Sequence, residues 1–541
     1  MEKIYGYDIY KRRTNNSFKQ FLMDYLKITK EDESGNLDVS LDKTSEFISM
    51  VNKHKEDKIV IVGDYDVDGV SATAIMLKGL KLYGIDNVFS IIPDRFKDGY
   101  GMNVRIVDEA ISLGAKLIIT VDNGVRALEA VEYARSNNLD VIVTDHHLPG
   151  DVLPNSNINI NCHIDNNMLH TNDICGAMIA YLLIKALLNK TDDELKELLF
   201  IAQMATIADV MPIKCENKYL IRKVIKNTIE KRTTFNKGLD ILFRMLRLDY
   251  INYNLETISF KIAPLLNAPG RLKHADMALK LLLGDDDLEL QGLCNELIEL
   301  NNFRKKELDK LKKEAISKLN PKASANVIML EDAHEGLIGI VAGSLTELTM
   351  KPSFIFTNSE SGQIKGSGRS PKWCNLAVVC EEVFKSVTPV VYGGHENAMG
   401  LTLDNREDLV HFQTYLNSMV ETLPKEEELK TFLRYPNELT IKNVRDILDE
   451  IGPFGEGCSE PNFVVTTKIT RANHFGAGHT KIFLNLADEL VEGLYFFNNF
   501  EALDKLYNVY FKVHKEYSNY SKKIEYKAFI SNIKEQKATV E

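Results

Sequence analysis

Several things are scarce or missing in this sequence, and each absence narrows its class. No apolar run approaches the length needed to span a bilayer, so no membrane partner is expected. The opening residues, MEKIYGYDIYKRRTNNSF, contain no apolar core and do not read as a secretion signal. The seven cysteines are scattered, odd in number and free of any CxxC pair. That excludes a disulfide framework and a cysteine zinc site, and it makes a reducing compartment, by default the cytoplasm, the expected location. There is no internal repeat and no low-complexity segment. Positive charge is not in excess either: the net charge is −11. This argues against a uniformly basic nucleic-acid-binding surface but leaves room for a local basic groove, and a metal site built from carboxylates would itself add negative charge.

What is present is an ordinary globular composition, 44% hydrophobic and 26% charged, over 541 residues. That length is too great for one core and predicts three or four modules. Residues 1–55 are mixed and polar and read as a helical cap on the next module. From residue 58 short β-rich runs alternate with helical segments: KIVIVG (58–63), NVFSII (87–92), KLIITV (116–121) and DVIVT (140–144). Their near-continuous apolar character predicts parallel strands buried on both faces, an α/β fold. Residues 173–320 read as mostly helical and end in one long connecting helix from 285 to 319, stopped by Asn320-Pro321. A second α/β region starts near 325, with strands expected at 326–330, 353–357 and 390–394. A third region begins near 436 and is strand-like from Phe463 onward.

The chemistry lies in where the acidic residues fall. Strand 58–63 runs into Asp64-Tyr-Asp66-Val-Asp68-Gly69, strand 116–121 into Asp122-Asn123-Gly124, and strand 140–144 into Asp145-His146-His147. In an open parallel sheet the C-terminal strand ends line the ligand crevice, so three successive units deliver carboxylates and imidazoles to one edge. Asp209, after the apolar segment MATIA, is placed to approach the same edge. One aspartate after a strand is often only a helix N-cap. Several ionised carboxylates in one small volume, however, raise each other's pKa unless a cation neutralises them. Oxygen ligands with few imidazoles suit Mn²⁺ or Mg²⁺, and two such ions about 3.5–4 Å apart could clamp a phosphodiester. Asp68 reads as a cap for a helix starting near Val70.

DYDVDG (64–69), DNG (122–124), DHH (145–147) and Asp209 resemble the four signatures of the DHH phosphoesterase superfamily, with the match closest to its RecJ branch. IPDRFKDGYG (92–101), APLLNAPGRL (263–272), HEGLIGIVAG (334–343), GSGRS (366–370), GGHENAMG (393–400) and PFGEGCSEP (453–461) follow in the same order, so the resemblance covers about residues 55–540. It implies a DHH phosphoesterase domain at 56–215 and a helical region with the connector at 216–322. It further implies a DHH-associated substrate-binding domain at 323–432 and an OB-like barrel at 433–541. The ligand set it implies is Asp64, Asp66, Asp122, His146 and Asp209, with Asp122 bridging two ions and His147 beside them. Arg95, Ser367 and Arg369 would hold a 5′-phosphate, and Arg271 and His395 would line the substrate path. The glycines of GSGRS would permit close backbone approach to that phosphate, and His395 would sit on a glycine turn after a strand. Lys505, Tyr507, Tyr510, Phe511, Lys512, Lys522, Lys523, Tyr526 and Lys527 interleave cations with rings as single-strand binders do. PFGEGCSEP departs from the family turn at Cys458 and Ser459.

The activity implied is hydrolysis of single-stranded DNA from the 5′ end to mononucleotides, in repair and recombination, by a monomer that a single-strand-binding protein or helicase would accompany. Two other readings remain open from sequence: a phosphodiesterase acting on oligoribonucleotides or cyclic dinucleotides, and a catalytically silent DNA-binding scaffold.

Overall fold

A computed structural model describes residues 2–4, 7–10, 17–34, 41–164, 169–359, 362–424, 431–476, 478–501, 504–518 and 520–536. The chain divides into two compact units: Met1–Ala263 with Ala278–Cys294 and Leu429–Glu541, and Pro264–Met277 with Asn295–Glu428.

The first unit opens with an antiparallel pair, β1 (Glu2–Ile4) and β2 (Tyr7–Tyr10). A five-stranded parallel sheet follows: β3 (Ile59–Val62), β4 (Val88–Ile91), β5 (Leu117–Val121), β6 (Asp140–Asp145) and β7 (Ile158–Asn161), in the order β4-β3-β5-β6-β7. Every residue of β3 and β5 is buried, as expected for strands covered on both faces. Two helices cover one face. Val67–Leu82, buried along most of its length, packs on Gly176–Leu188, with Ile184 seated against Gly79. On the other face Ile106, Val107, Ala130 and Val131 join Val60, Ile118 and Val141 in one apolar cluster.

In the second unit β8 (Asn326–Met329), β9 (Ser353–Asn358), β10 (Ile364–Arg369), β11 (Val391–His395) and β12 (Ala398–Leu403) form a sheet ordered β11-β12-β10-β9-β8. Three of these strands fall where apolar runs predict them. β10 does not, because it is the IKGSGR stretch, whose glycines depress β-propensity. The long helix is Asp287–Ser317. Its buried residues run Leu290, Cys294, Leu297, Asn301, Leu308, Leu311, Ala315, a near-heptad seam, whereas Ile316 faces out.

The remaining strands, β13 (Thr431–Arg434), β14 (Phe463–Lys468), β15 (Ala472–Phe475), β16 (His479–Leu486), β17 (Glu489–Tyr495), β18 (Leu506–Ser518) and β19 (Lys523–Glu535), belong to the first unit. They build one sheet with β1 and β2, ordered β1-β2-β13-β14-β18-β19-β17-β16-β15. Among the described residues this ladder is open; its ends are not paired to each other. The N-terminal segment is therefore not simply a cap on the next module. β2 lies parallel to β13, and Phe18 and Leu22 sit in the core with Phe463, Phe511 and Leu448. The stacking set expected near the C-terminus is also revised: Tyr507, Tyr510 and Phe511 are core residues, at most 3% exposed. Tyr507 and Phe511 join the main core of this sheet, while Tyr510 is buried in a separate cluster against Phe432 and Val464, and composition alone does not distinguish such rings from an outward platform. The PFGEGCSEP turn docks on the helix Cys215–Lys231. Arg222 donates to the carbonyls of Ile451 and Gly452, and the buried Lys218 ammonium lies 3.3 Å from Cys458 Sγ.

Candidate metal centre

Parallel register decides the geometry of the site. Val62 pairs with Thr120 and Val121 with Thr144, so the residues continuing these strands, Asp64, Asp122 and Asp145, come level across three adjacent strands. The crevice falls where β3 has neighbours reached by connections in opposite directions, the position at which open α/β sheets bind ligands. Asn123 ties the strand ends together: its Nδ2 donates to the carbonyls of Val62 and Val121, and its Oδ1 accepts from Met102 N.

Around this edge the structure brings together Asp64, Asp66, Asp122, His146, His147 and Asp209. Asp64, Asp66 and Asp122 each offer an oxygen to one potential ion position; Asp122, His146 and His147 share a second grouping, and Asp68, His146 and Asp209 a third. His146 Nε2 is 3.1 Å from Asp122 Oδ1, 3.6 Å from Asp68 Oδ2 and 3.7 Å from Asp209 Oδ2. Asp209 caps the C-terminus of the helix Lys196–Ala208, which carries it to the sheet edge.

The capping expectation for Asp68 is corrected. Asp66 caps Val67–Leu82, accepting from Asp68 N and Gly69 N through Oδ1. Asp68 instead takes the amides of Gly176 and Ala177, at the start of Gly176–Leu188. It belongs to the cluster as much as Asp66 does, and the DxDxD spacing is the signal that marks it. Asp122 adopts a left-handed backbone (φ 62°), and a Cβ on Gly176 would lie 2.5 Å from its own Cβ. Such strain, held by tight packing, is characteristic of functional positions.

Whether ions fit can be tested on the donor set. Asp64 Oδ1, Asp122 Oδ1 and Asp209 Oδ2 are buried and have no hydrogen-bond partner among the described residues, the His146 ring being the neighbour that Asp122 Oδ1 and Asp209 Oδ2 share. Burial, and then the neighbouring carboxylates, push Asp64 and Asp122 well above the usual carboxylate range and Asp209 up to about 8. Burial holds His146 below its ordinary value, which leaves a neutral imidazole for coordination. Buried, partnerless, mutually repelling oxygens beside a neutral imidazole are a cost to the fold unless a cation gathers them. The residues fit one or more divalent ions with oxygen and imidazole ligands.

Asp145 has a different task. Its Oδ1 accepts from the amides of His146 and His147 and from His147 Nδ1 at 2.8 Å, and its Oδ2 accepts from Val125 N. Burial works against the His147 cation, but the Asp145 bond and the surrounding carboxylates prevail and raise it to about 9. Tyr100, which the motif reading does not single out, donates to the carbonyl of Asp122 and lies 3.1 Å from His147 Nδ1. Arg95 stacks on Tyr65, between Asp64 and Asp66, with its guanidinium centre 4.9 Å from the ring, and forms no hydrogen bond or ion pair among the described residues.

In the second unit Ser367 and Arg369 share one face of β10, with Arg369 Nη1 donating to Ser367 Oγ at 3.1 Å, and the helix Glu335–Thr349 presents Gly339 to both. The glycines of GSGRS do not give the backbone close access to a phosphate. β10 is paired on both sides, and Gly366 and Gly368 face Phe356 and Phe354, whose rings would lie 2.3 Å from an added Cβ. Arg271 lies on Ala263–Leu272, its carbonyl against Gly336. His395 ends the exposed edge strand β11, so it precedes the turn and accepts from Asn397 N through Nδ1.

Comparisons with known proteins place this geometry. The model of the DHH family, N-terminal domain, matches residues 58–208, and that of the DHHA1 domain matches residues 322–422. These define a DHH-type protein. Single-stranded-DNA-specific exonuclease RecJ of Escherichia coli is 30% identical over 450 residues, 79% of this chain and 78% of the relative. RecJ of Bacillus subtilis is 32% identical over 445 residues, 80% of this chain, and the match spans 55% of that longer relative. The crystal structure of Thermus thermophilus RecJ in complex with Mn²⁺ superimposes with a TM-score of 0.80 at 25% identity, covering 96% of this chain and 78% of that one. The chain belongs to the RecJ family.

Proposed function

We propose that this chain is a metal-dependent exonuclease that hydrolyses single-stranded DNA from its 5′ end to mononucleotides, working with two Mn²⁺ or Mg²⁺ ions. The observation that carries the reading is the set of buried, partnerless oxygens of Asp64, Asp122 and Asp209 beside His146, in a chain whose relatives are named single-stranded-DNA-specific exonucleases. Asp64, Asp66, Asp122, His146 and Asp209 are the assigned ligands, and Asp68 is added for its place in the cluster. Bound there, divalent ions would neutralise the carboxylates, acidify a water and polarise the scissile phosphodiester. Asp145 fixes the His147 ring through Nδ1, so that the imidazole stands oriented at the cluster, facing the space a phosphate would take. Arg95 of the first unit and Arg271, Ser367, Arg369 and His395 of the second are assigned to the strand, with Ser367 and Arg369 donating to its 5′-phosphate. The C-terminal sheet is read as OB-like, with its binding rings at Phe475, His479, Phe496 and Phe497. These lie 4.8 to 5.5 Å from the central His479, and Phe497 is 84% exposed.

The test is digestion of a single strand labelled at either end, with and without Mn²⁺. Mononucleotide release from the 5′ end only, dependent on the ion and faster with a 5′-phosphate, is expected. Release from the 3′ end, or preference for dinucleotides over long strands, would favour the small-nucleotide phosphodiesterase reading. Binding without release would favour a silent scaffold.

A further inference from the structure

The region between residues 214 and 250 carries ten lysines and arginines against four aspartates and glutamates, in a chain of net charge −11. Several of these cations have structural partners: Lys218 is buried against Cys458, Arg222 holds Ile451 and Gly452, Lys223 holds Asp192, and Lys237 pairs with Asp287 at 2.7 Å. Arg232 and Arg244 do not. Both are exposed, and neither guanidinium has a hydrogen-bond or ion-pair partner among the described residues. They line the same hollow, of about 510 Å³, together with Lys237, Phe235 and Tyr250. Each arginine stands at a helix C-terminus, where a cation offsets the macrodipole, but that does not explain why both line one concave space. The carboxylate inside the hollow, Asp240, forms no ion pair with either guanidinium, although its charge stays nearby. It is occupied by Thr233 Oγ1, by the amide and hydroxyl of Thr234, and by the Tyr250 hydroxyl.

The hollow has a fixed relation to the metal centre within the first unit. Lys196 lies over the Phe235 ring at 6.0 Å, and Glu197 accepts from Asn236 Nδ2. Both belong to the first turn of Lys196–Ala208, whose other end is Asp209. A helix of that length rises about 20 Å, so the hollow and the carboxylate cluster lie at opposite ends of one rigid element.

We propose that this hollow is a second nucleic-acid contact, in which Arg232 and Arg244 take backbone phosphates of the single strand some distance from the scissile bond while Phe235 and Tyr250 flank its bases. Unpaired guanidiniums beside half-buried rings are the combination that holds single strands without regard to sequence. The site rests on the reading of single-stranded DNA as substrate. It predicts that strand length matters: a trinucleotide occupied at the metal centre does not reach the hollow, whereas a strand of about 20 nucleotides does.

The experiment compares the intact chain with R232Q/R244Q and R232E/R244E, both changed only at exposed positions. Anisotropy of a labelled strand of about 20 nucleotides, in Ca²⁺ to hold the metal centre without turnover, is read across a salt series alongside Mn²⁺-dependent release from long and short substrates. The expected result is an affinity loss for the long strand of about tenfold in the glutamine variant and more in the glutamate variant. The slope of log K against log salt should become shallower by about 1.4, two phosphates at about 0.7 each. KM should rise for the long strand, with kcat and trinucleotide release unchanged. Equal long-strand affinity and salt slope in all three proteins overturns the proposal. So does loss of trinucleotide release in proportion, because it marks a structural effect. A glutamate-rich peptide that binds the wild type but not the variants, with DNA binding unaffected, overturns it in favour of a protein ligand. If the wild type releases nothing from any strand but the binding difference remains, the exonuclease reading falls and the contact stands.

Discussion

At the scale of single residues, the centre is held together by groups that disfavour one another. Asp122 is the most constrained: buried, left-handed in backbone, pressed by Gly176 and 3.1 Å from His146. Asp122→Asn keeps its shape and its tolerance of positive φ but removes the charge an ion needs. Mn²⁺-dependent nucleotide release should fall by at least about 10²- to 10³-fold. The metal-free variant should melt no lower than the wild type, because a buried like charge has been deleted. Wild-type turnover in this variant would remove Asp122 from the site. Protonation gives a second expectation. Asp209 at about 8 and His147 at about 9 both lie above their unfolded values of about 3.9 and 6.5. The folded metal-free protein therefore holds protons that the unfolded chain has released, and the contribution of these two groups to stability is full below their unfolded values and is lost as pH rises through about 8 and about 9. Thermal melting after chelation should drop between about pH 6 and about pH 9, and added Mn²⁺ should restore more at the upper end, where fewer protons compete for the carboxylates. A melting temperature that instead climbs with pH in the chelated protein would contradict this account of the site.

At the scale of elements, the parallel sheet and its acidic turns are legible in the sequence because apolar β-branched runs ending in aspartate are both a folding signal and a chemical one. β3, β4, β5 and β6 fall within a residue or two of KIVIVG, NVFSII, KLIITV and DVIVT. What cannot be read is which helix start each aspartate serves. Asp66 and Asp68 have the same chemistry two residues apart, and only the arrival of Gly176 and Ala177 from a distant helix distinguishes them. β10 is hidden for a related reason. Glycine usually marks a turn or a close ligand approach, whereas Gly366 and Gly368 are there because Phe356 and Phe354 leave no room on that face of a central strand. The two roles separate experimentally. Gly368→Ala should destabilise the second unit by about 1–3 kcal/mol through overpacking. Ser367→Ala, on the opposite face, should leave the melting temperature in place and raise KM for a 5′-phosphorylated strand more than for a 5′-hydroxyl strand. Equal effects of both substitutions on stability would mean that the two faces are not distinct.

At the scale of the molecule, the chain's two ends are joined. β2 and β13 are neighbours in the ladder although more than 400 residues separate them, and Phe18 and Leu22 fill the core beneath β14 and β18. Nothing in the polar N-terminal sequence indicates this, because parallel pairing leaves no local pattern when the partner lies so far away. The consequence is that the first helix and the C-terminal sheet should be lost together. Removing residues 1–28 takes away two fully or nearly buried side chains, each worth about 2–5 kcal/mol in a core of this kind, and exposes the edge of β13. The parallel sheet of the first unit keeps its own apolar clusters, among them Val60, Ile118 and Val141, and contains none of the deleted residues. Limited proteolysis of the truncated chain should therefore cut first within residues 431–536 and leave a fragment containing residues 58–209. That fragment should still bind Mn²⁺, read by protection against thermal melting, while affinity for a long single strand falls. If truncation left the C-terminal strands as protease-resistant as in the intact chain, the pairing of β2 with β13 would contribute little to the fold, and residues 1–55 would have to serve the first sheet instead.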